Sequence, residues 1–280
     1  MQAAANALAM AGAALGQVAR RLSDAAARSV VLNGARGELQ RGVLSVAFDD
    51  FPKTAWEAGG PLLRELGVKG TYYVSGSLCG TRHDSLQAYD VDDLEAACEA
   101  GHEIGCHTYG HLHAASHAVE EYLSSIDRNA AFLAERLPGW RAGSFAYPYG
   151  SAPSRFRRAL ASRFGACRST MAGVNHGYVD LSLLRAVGLE RCRGNRLDVP
   201  RLIEVTARER AWLIIYTHDV CEHHSDYGCS PAELERTIRM AVAAGLDVQP
   251  VGAVAAACFP TAAARLHAAS ASTRMDPGER

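Results

Sequence analysis

His102-Glu103-Ile104-Gly105-Cys106-His107-Thr108-Tyr109-Gly110-His111 reads as a short buried strand that breaks into a loop or a first helical turn. It delivers two imidazoles, His107 and His111, four residues apart. On a helical turn, positions i and i+4 share a face, so both rings can close on one ion. Upstream, Val43-Leu44-Ser45-Val46-Ala47-Phe48 is an apolar run that ends in the carboxylate pair Asp49-Asp50. Two histidines and one carboxylate, with coordination positions left open, form the ligand set of a hydrolytic zinc or similar divalent-metal site.

Working outward, β-rich runs alternate with helical patterns. Strands are expected over Val43–Phe48, Gly70–Val74, His102–His107, Ser144–Tyr147, Ala166–Ser169, Leu183–Leu189 and Ala211–Thr217, with a last short one from Asp247 to Val251. Helices are expected over Thr54–Leu66, from an Asp92 cap to Ala100, over Ala118–Leu137 and Ser154–Phe164, after an Asp198 cap, and from Ser230 to Ala244. Such alternation means βα units around a parallel sheet, and seven or eight of them suit a closed or nearly closed barrel. The chain divides into an N-terminal helical extension (residues 1–40), a barrel domain (41–258) and an Ala-rich tail (259–280).

Bulk properties narrow the function. The 280 residues are 48% hydrophobic and 21% charged, as expected for a globular protein with a sizeable core. A net charge of −1 argues against nucleic acid as a partner held by bulk charge. No apolar run reaches the ~18 residues of a transmembrane helix. The Ala-rich N-terminus lacks the charged and strongly apolar regions of an export signal and reads as an amphipathic helix. The eight cysteines are scattered without a CxxC pair, which suits reduced core thiols and a cytoplasmic location.

Chemistry in a barrel of this kind collects where the strands end, and the polar candidates all lie there. Asp49-Asp50 could be a solvated turn or could divide its carboxylates between a metal and a water. In Phe145-Ala146-Tyr147-Pro148-Tyr149-Gly150, Pro148 and Gly150 could fix the backbone so that the Tyr149 N–H points at a developing oxyanion. Thr217-His218-Asp219 ends a wholly apolar strand, and His218 is either a satisfied core side chain or a general acid. Cys221-Glu222-His223-His224 with Cys229 fits no zinc spacing and reads as a substrate-side loop, where Asp226 and Tyr227 could shape a pocket.

The order F-D-D, H-T-Y-G-H, F-A-Y-P-Y-G, then apolar strand T-H-D resembles the polysaccharide deacetylases, carbohydrate esterase family 4, over about Val43 to Val251. The resemblance implies a distorted (β/α)7 barrel that removes acetyl groups from sugars with a divalent metal. It implies Asp49 as base, Asp50, His107 and His111 as metal ligands, Tyr149 as the oxyanion-stabilising backbone and His218 as acid. Tyr147, Pro148 and Asp219 are expected to meet the substrate. The metal would be Zn2+, with Co2+, Mn2+ or Ni2+ as substitutes, and would activate the attacking water.

Two features depart from the family pattern. The third motif often carries an Arg bound to the catalytic Asp, but Ala146 stands there, and Arg185 is the candidate replacement. No fourth motif with its Asp and Trp is found, so the group that orients His218 is unassigned. The expected substrate is an N-acetyl sugar, less readily an O-acetyl one, carried on a nucleotide or lipid for surface polysaccharide assembly. The alternatives are hydrolysis of a formamide, cyclic imide or ureide on the same scaffold, and a non-catalytic carbohydrate-binding relative.

Overall fold

Every residue of the strand Val43–Phe48 is buried, as befits a parallel strand covered on both faces. Its alternation divides two cores. Val43 and Ala47 join a cluster with Trp212, Ile214 and Tyr216, while Leu44, Val46 and Phe48 join another with Leu213 and Ile215. The first cluster fills a barrel and the second lies between the barrel and its helices.

The computed structural model describes residues 30–141, 143–192 and 198–259. In chain order the strands are β1 (Gly34–Arg36), β2 (Val43–Phe48), β3 (Thr71–Val74), β4 (Arg82–His83), β5 (Leu86–Gln87), β6 (Glu103–Cys106), β7 (Ser144–Ala146), β8 (Ala166–Arg168), β9 (Tyr178–Asp180), β10 (Val187–Gly188), β11 (Trp212–Thr217) and β12 (Asp247–Val248). The α-helices are α1 (Lys53–Glu57), α2 (Gly59–Glu65), α3 (Val91–Glu99), α4 (Val119–Arg136), α5 (Ser154–Leu160), α6 (Val199–Arg208), α7 (Pro231–Ala243) and α8 (Val251–Cys258).

Strands β10, β11, β2, β3, β6, β7 and β8 stand side by side in that order, all parallel, and β12 adds to the first half of β2. The row curls towards closure. Leu184, just ahead of β10, bridges Arg168 of β8, and the Leu184 N–H donates to the Cys167 carbonyl at 2.9 Å. This is the distorted (β/α)7 barrel expected from the sequence.

The distortion is local. β6 meets β7 through one paired position, Cys106 with Phe145. The strand expected over Leu183–Leu189 shrinks to Val187–Gly188. Just ahead of it, backbone groups bond to the 167–175 segment instead: Ala186 N–H to the Met171 carbonyl, and Arg185 N–H to Asn175 Oδ1, both at 2.9 Å.

An element absent from the sequence reading closes the barrel floor. Helix α8 is apolar along its whole length, so it has no polar face to betray a helical period, and it packs against β2, β6 and β8. Its first free amides are satisfied from inside the sheet. Val251 N–H donates to Thr71 Oγ1 at 3.0 Å, and Gly252 N–H donates to Glu103 Oε2 at 2.8 Å. Trp212 stacks on Phe259 below it and donates through Nε1 to Ser45 Oγ.

Other boundaries also shift. The expected Thr54–Leu66 helix breaks at Ala58 into α1 and α2, with Pro61 tolerated in the first turn of the second. Asp90, not Asp92, caps α3, in a reciprocal capping box with Asp93 that Lys53 also binds. The 76–89 loop contains the β4–β5 hairpin. Within the expected N-terminal extension, β1 pairs antiparallel with β9. The helix expected over residues 1–29 and the tail from residue 260 lie outside the described residues. No described helix is long and apolar enough to cross a membrane.

Candidate metal centre

The ends of β2, β6, β7, β8 and β11 meet at one face of the barrel. Asp49 and Asp50 follow β2, His107 to His111 follow β6, Tyr147 to Gly150 follow β7, and His218 follows β11. The backbone here is strained. Among described non-glycine residues, those with left-handed φ are Asp50 (62°), Phe51 (50°), Asp84 (46°), Ser85 (69°), Thr108 (60°), His111 (51°), Tyr149 (58°) and Arg210 (48°). All but Arg210 belong to these strand ends or to the adjoining hairpin. Such conformations each cost about 1–2 kcal/mol and gather where a site demands them.

His107 and His111 converge, but not on a helical turn. The chain between them is a loop that reverses through left-handed Thr108. Polar side chains brace it. Ser125 Oγ accepts from the Tyr109 and Gly110 amides, Thr108 Oγ1 accepts from the Leu112 amide, and Ser75 Oγ donates to the His107 carbonyl at 2.8 Å. Asn129, fully buried on α4, ties Gly76 and Val74 to the same wall.

His111 Nε2 lies 3.1 Å from Asp50 Oδ1 and His107 Nε2 lies 3.5 Å from it, while His218 Nε2 is 3.9 Å from Asp50 Oδ2. Asp50, His107 and His111 offer ligand atoms all within 4.8 Å of one another, the only such grouping of three among the described residues. His107 Nδ1 donates to the Ala146 carbonyl at 2.7 Å, which assigns its proton and turns the Nε2 lone pair towards Asp50. Burial pushes the pKa values of both His107 and His111 down to about 4, so both rings are neutral near pH 7.

Asp50 Oδ1, facing these rings, is buried and has no hydrogen-bond partner among the described residues. The His107 Nε2 lone pair, aimed at a carboxylate oxygen 3.5 Å away, repels it unless a cation lies between them. The donor set therefore fits a divalent metal.

Asp49 points to the other side and is nearly buried, in a salt bridge with Arg168. Burial raises its carboxyl pKa, but Arg168, with His107 and His218, outweighs that and holds it below the usual value. Arg168 is fully buried at the end of β8, its guanidinium over the rings of Tyr216 and Tyr73 at 4.6 and 5.0 Å.

This corrects the assignment of Arg185, which is exposed and donates to the Ala172 carbonyl on the surface. A charge inside the apolar strand Ala166-Cys167-Arg168 was the available signal for the true partner. Only closure of the barrel brings it to Asp49.

The remaining candidates divide. The cavity over the centre, about 510 Å³, is lined by Asp49, Asp50, His107, His111, Tyr147, Tyr149 and His218, and by Tyr227 beyond them. Tyr147 is buried and donates its hydroxyl proton to the Ser182 carbonyl, so only ring surface reaches the cavity. Pro148 is buried beneath it. Tyr149 is 62% and Tyr227 60% exposed at the cavity mouth, the first ring against His111 and the second against His218.

Asp219 is corrected. It is fully buried and accepts from the Ser225 amide and hydroxyl at 2.7 and 2.6 Å, so it braces the 219–229 loop and does not line the cavity. His218 Nδ1 has no hydrogen-bond partner among the described residues. His83, on the β4–β5 hairpin, also lines the cavity and was not singled out from the sequence.

Residues 36–166 match the family model described as polysaccharide deacetylase. No curated protein matches the chain. Among solved structures, the chitin deacetylase from the fungal pathogen Colletotrichum lindemuthianum aligns at TM-score 0.53 and 15% identity, over 78% of this chain and 88% of that one. The peptidoglycan deacetylase PdaC from Bacillus subtilis aligns at 0.50 and 16%, over 85% and 98%. A mutant of BA3943, titled a CE4 family pseudoenzyme, aligns at 0.50 and 14%, over 79% and 70%. At these identities the structures establish the fold.

Proposed function

For a chain whose residues 36–166 match the polysaccharide deacetylase family model, we propose a metal-dependent hydrolase that removes an acetyl group from an N-acetyl sugar. The observation that carries this reading is the meeting of the His107, His111 and Asp50 donor atoms beside a second, arginine-bound carboxylate.

Asp50, His107 and His111 would hold a divalent cation, which would supply Lewis acidity to the acyl carbonyl and to water. Asp49 accepts the proton of the attacking water, and Arg168 keeps it ionised and aimed. The Tyr149 peptide, set in its left-handed turn between Pro148 and Gly150, offers an N–H to the developing oxyanion. His218, which also lines the cavity, delivers a proton to the departing nitrogen, which an amide requires more than an ester does. Tyr149 and Tyr227 give a sugar ring two apolar faces at the mouth.

The finer assignments rest on the same reading: an N-acetyl before an O-acetyl group, Zn2+ before Co2+, Mn2+ or Ni2+, and a cytoplasmic sugar precursor as substrate. The binding-only alternative drew on the missing third-motif Arg. Arg168 supplies a guanidinium to Asp49, which favours the catalytic reading. Acetate release from N-acetyl sugars, abolished by chelation and restored by added metal, tests the proposal. Formate or an acyclic ureide in place of acetate would move the substrate to another C–N bond.

A further inference from the structure

The two histidine ligands differ in how their outer nitrogens are held. His107 Nδ1 donates to the Ala146 carbonyl, whereas His111 Nδ1 is buried with no hydrogen-bond partner among the described residues. A ligating imidazole ordinarily gives its second N–H to an acceptor, which fixes the ring and its tautomer.

A group able to accept stands beside it. The His83 ring meets His111 edge to face, centroids 5.5 Å apart at 76°, and His83 Nε2 is likewise buried without a hydrogen-bond partner. The Asp84 carboxylate, 3.6 Å from that nitrogen, is beyond hydrogen-bond reach and leaves it unclaimed. Two unpartnered buried nitrogens on adjoining rings are costly unless they serve one another.

The hairpin that carries His83 is tied to the centre. Asp84 and Ser85 form a left-handed turn of the sort that suits a tight hairpin, and Arg82 Nη2 closes on the Ser85 carbonyl at 2.8 Å. At its base Tyr89 N–H donates to the Phe51 carbonyl, and Ala88 bridges Pro52. The residues that anchor the hairpin therefore follow directly on the ligand Asp50.

We propose that His83 accepts the His111 Nδ1–H through one bridging water, and so positions His111 for the cation. This rests on the metal reading above. His83 then carries its own proton on Nδ1 and presents Nε2. It is a positioning residue, not a ligand.

Zn2+ affinity of the purified full chain, by competition with a chromophoric chelator, is the primary measurement. It is accompanied by the Co2+ d–d absorption and the melting temperature of metal-free protein. His83→Ala is expected to weaken Zn2+ binding about 10- to 100-fold, with the Co2+ band pattern and the metal-free melting temperature unchanged. His83→Gln, which keeps an acceptor oxygen, recovers most of the affinity.

Parent-like affinity in His83→Ala, with affinity lost in His111→Ala, overturns the inference and leaves the metal centre standing. A Co2+ band pattern altered as in His111→Ala overturns it by making His83 a ligand. A lowered metal-free melting temperature without rescue by His83→Gln overturns it by making His83 structural. No Zn2+ binding by the parent overturns both this inference and the proposed function.

Discussion

Arg168 and Asp49 pair across the barrel mouth from the ends of β8 and β2, strands that three others separate in the sheet order. Removing one partner of a buried pair strands the other. Arg168→Met is therefore expected to destabilise the fold by about 3 kcal/mol and to lower turnover by at least ~10²-fold through loss of an aimed base. Metal content should be kept. Arg185→Ala should leave both properties at parent values. Acetate release and thermal melting of the two variants check this, and a silent Arg168→Met would refute the pairing's role.

His111 and His218 both approach Asp50, yet their assigned tasks differ. His111→Ala should lose the metal. His218→Ala should keep it and turn over about 10²- to 10⁴-fold more slowly. Metal analysis alongside steady-state kinetics separates these outcomes, and equal metal loss in both would contradict the assignment.

Tyr149 and Tyr227 stand exposed at the cavity mouth. Tyr227→Ala removes apolar contact made equally in the ground and transition states, so it should raise KM about tenfold or less with kcat retained. A fall in kcat with KM unchanged would show that Tyr227 acts at the reacting atoms instead.

Acid should weaken the molecule through Asp180. Its carboxylate is pushed up by burial, but hydrogen bonds from the Ser182 hydroxyl and from the Leu32 and Ser182 amides, with Arg157 beside it, hold the pKa below the usual value. A folded pKa below the unfolded ~3.9 gives stability that is present above about pH 4 and fades as pH falls through the folded value. Asp180→Asn should cost on the order of 3 kcal/mol at neutral pH and flatten that acid limb. Melting temperature against pH for the parent and Asp180→Asn measures both effects.

The strand ends were legible because each combined an apolar run with a polar break, which local sequence records directly. Sequence alone therefore places Asp50, His107, His111 and His218 on one face. Arg168 was hidden because its partner lies 119 residues away and their meeting depends on barrel closure. Asp219 misled because its burial is decided by the return of Ser225, a matter of loop path. Helix α8 escaped because a helix apolar on every side shows no period. His107 and His111 converge as their spacing suggests, and of the loop and the helical turn that the sequence leaves open, a loop through left-handed Thr108 achieves it.

The stapling of α8 to Thr71 and Glu103 bears on how the protein can be shortened. Glu103 opens the same short strand that ends next to His107, so the plug below and the candidate ligand above hang from one rod. A fragment cut to residues 36–166 would retain all three side chains of the candidate cation site. It would forfeit Arg168 and His218, the groups proposed to govern proton traffic, and would leave the underside of the rod uncorked.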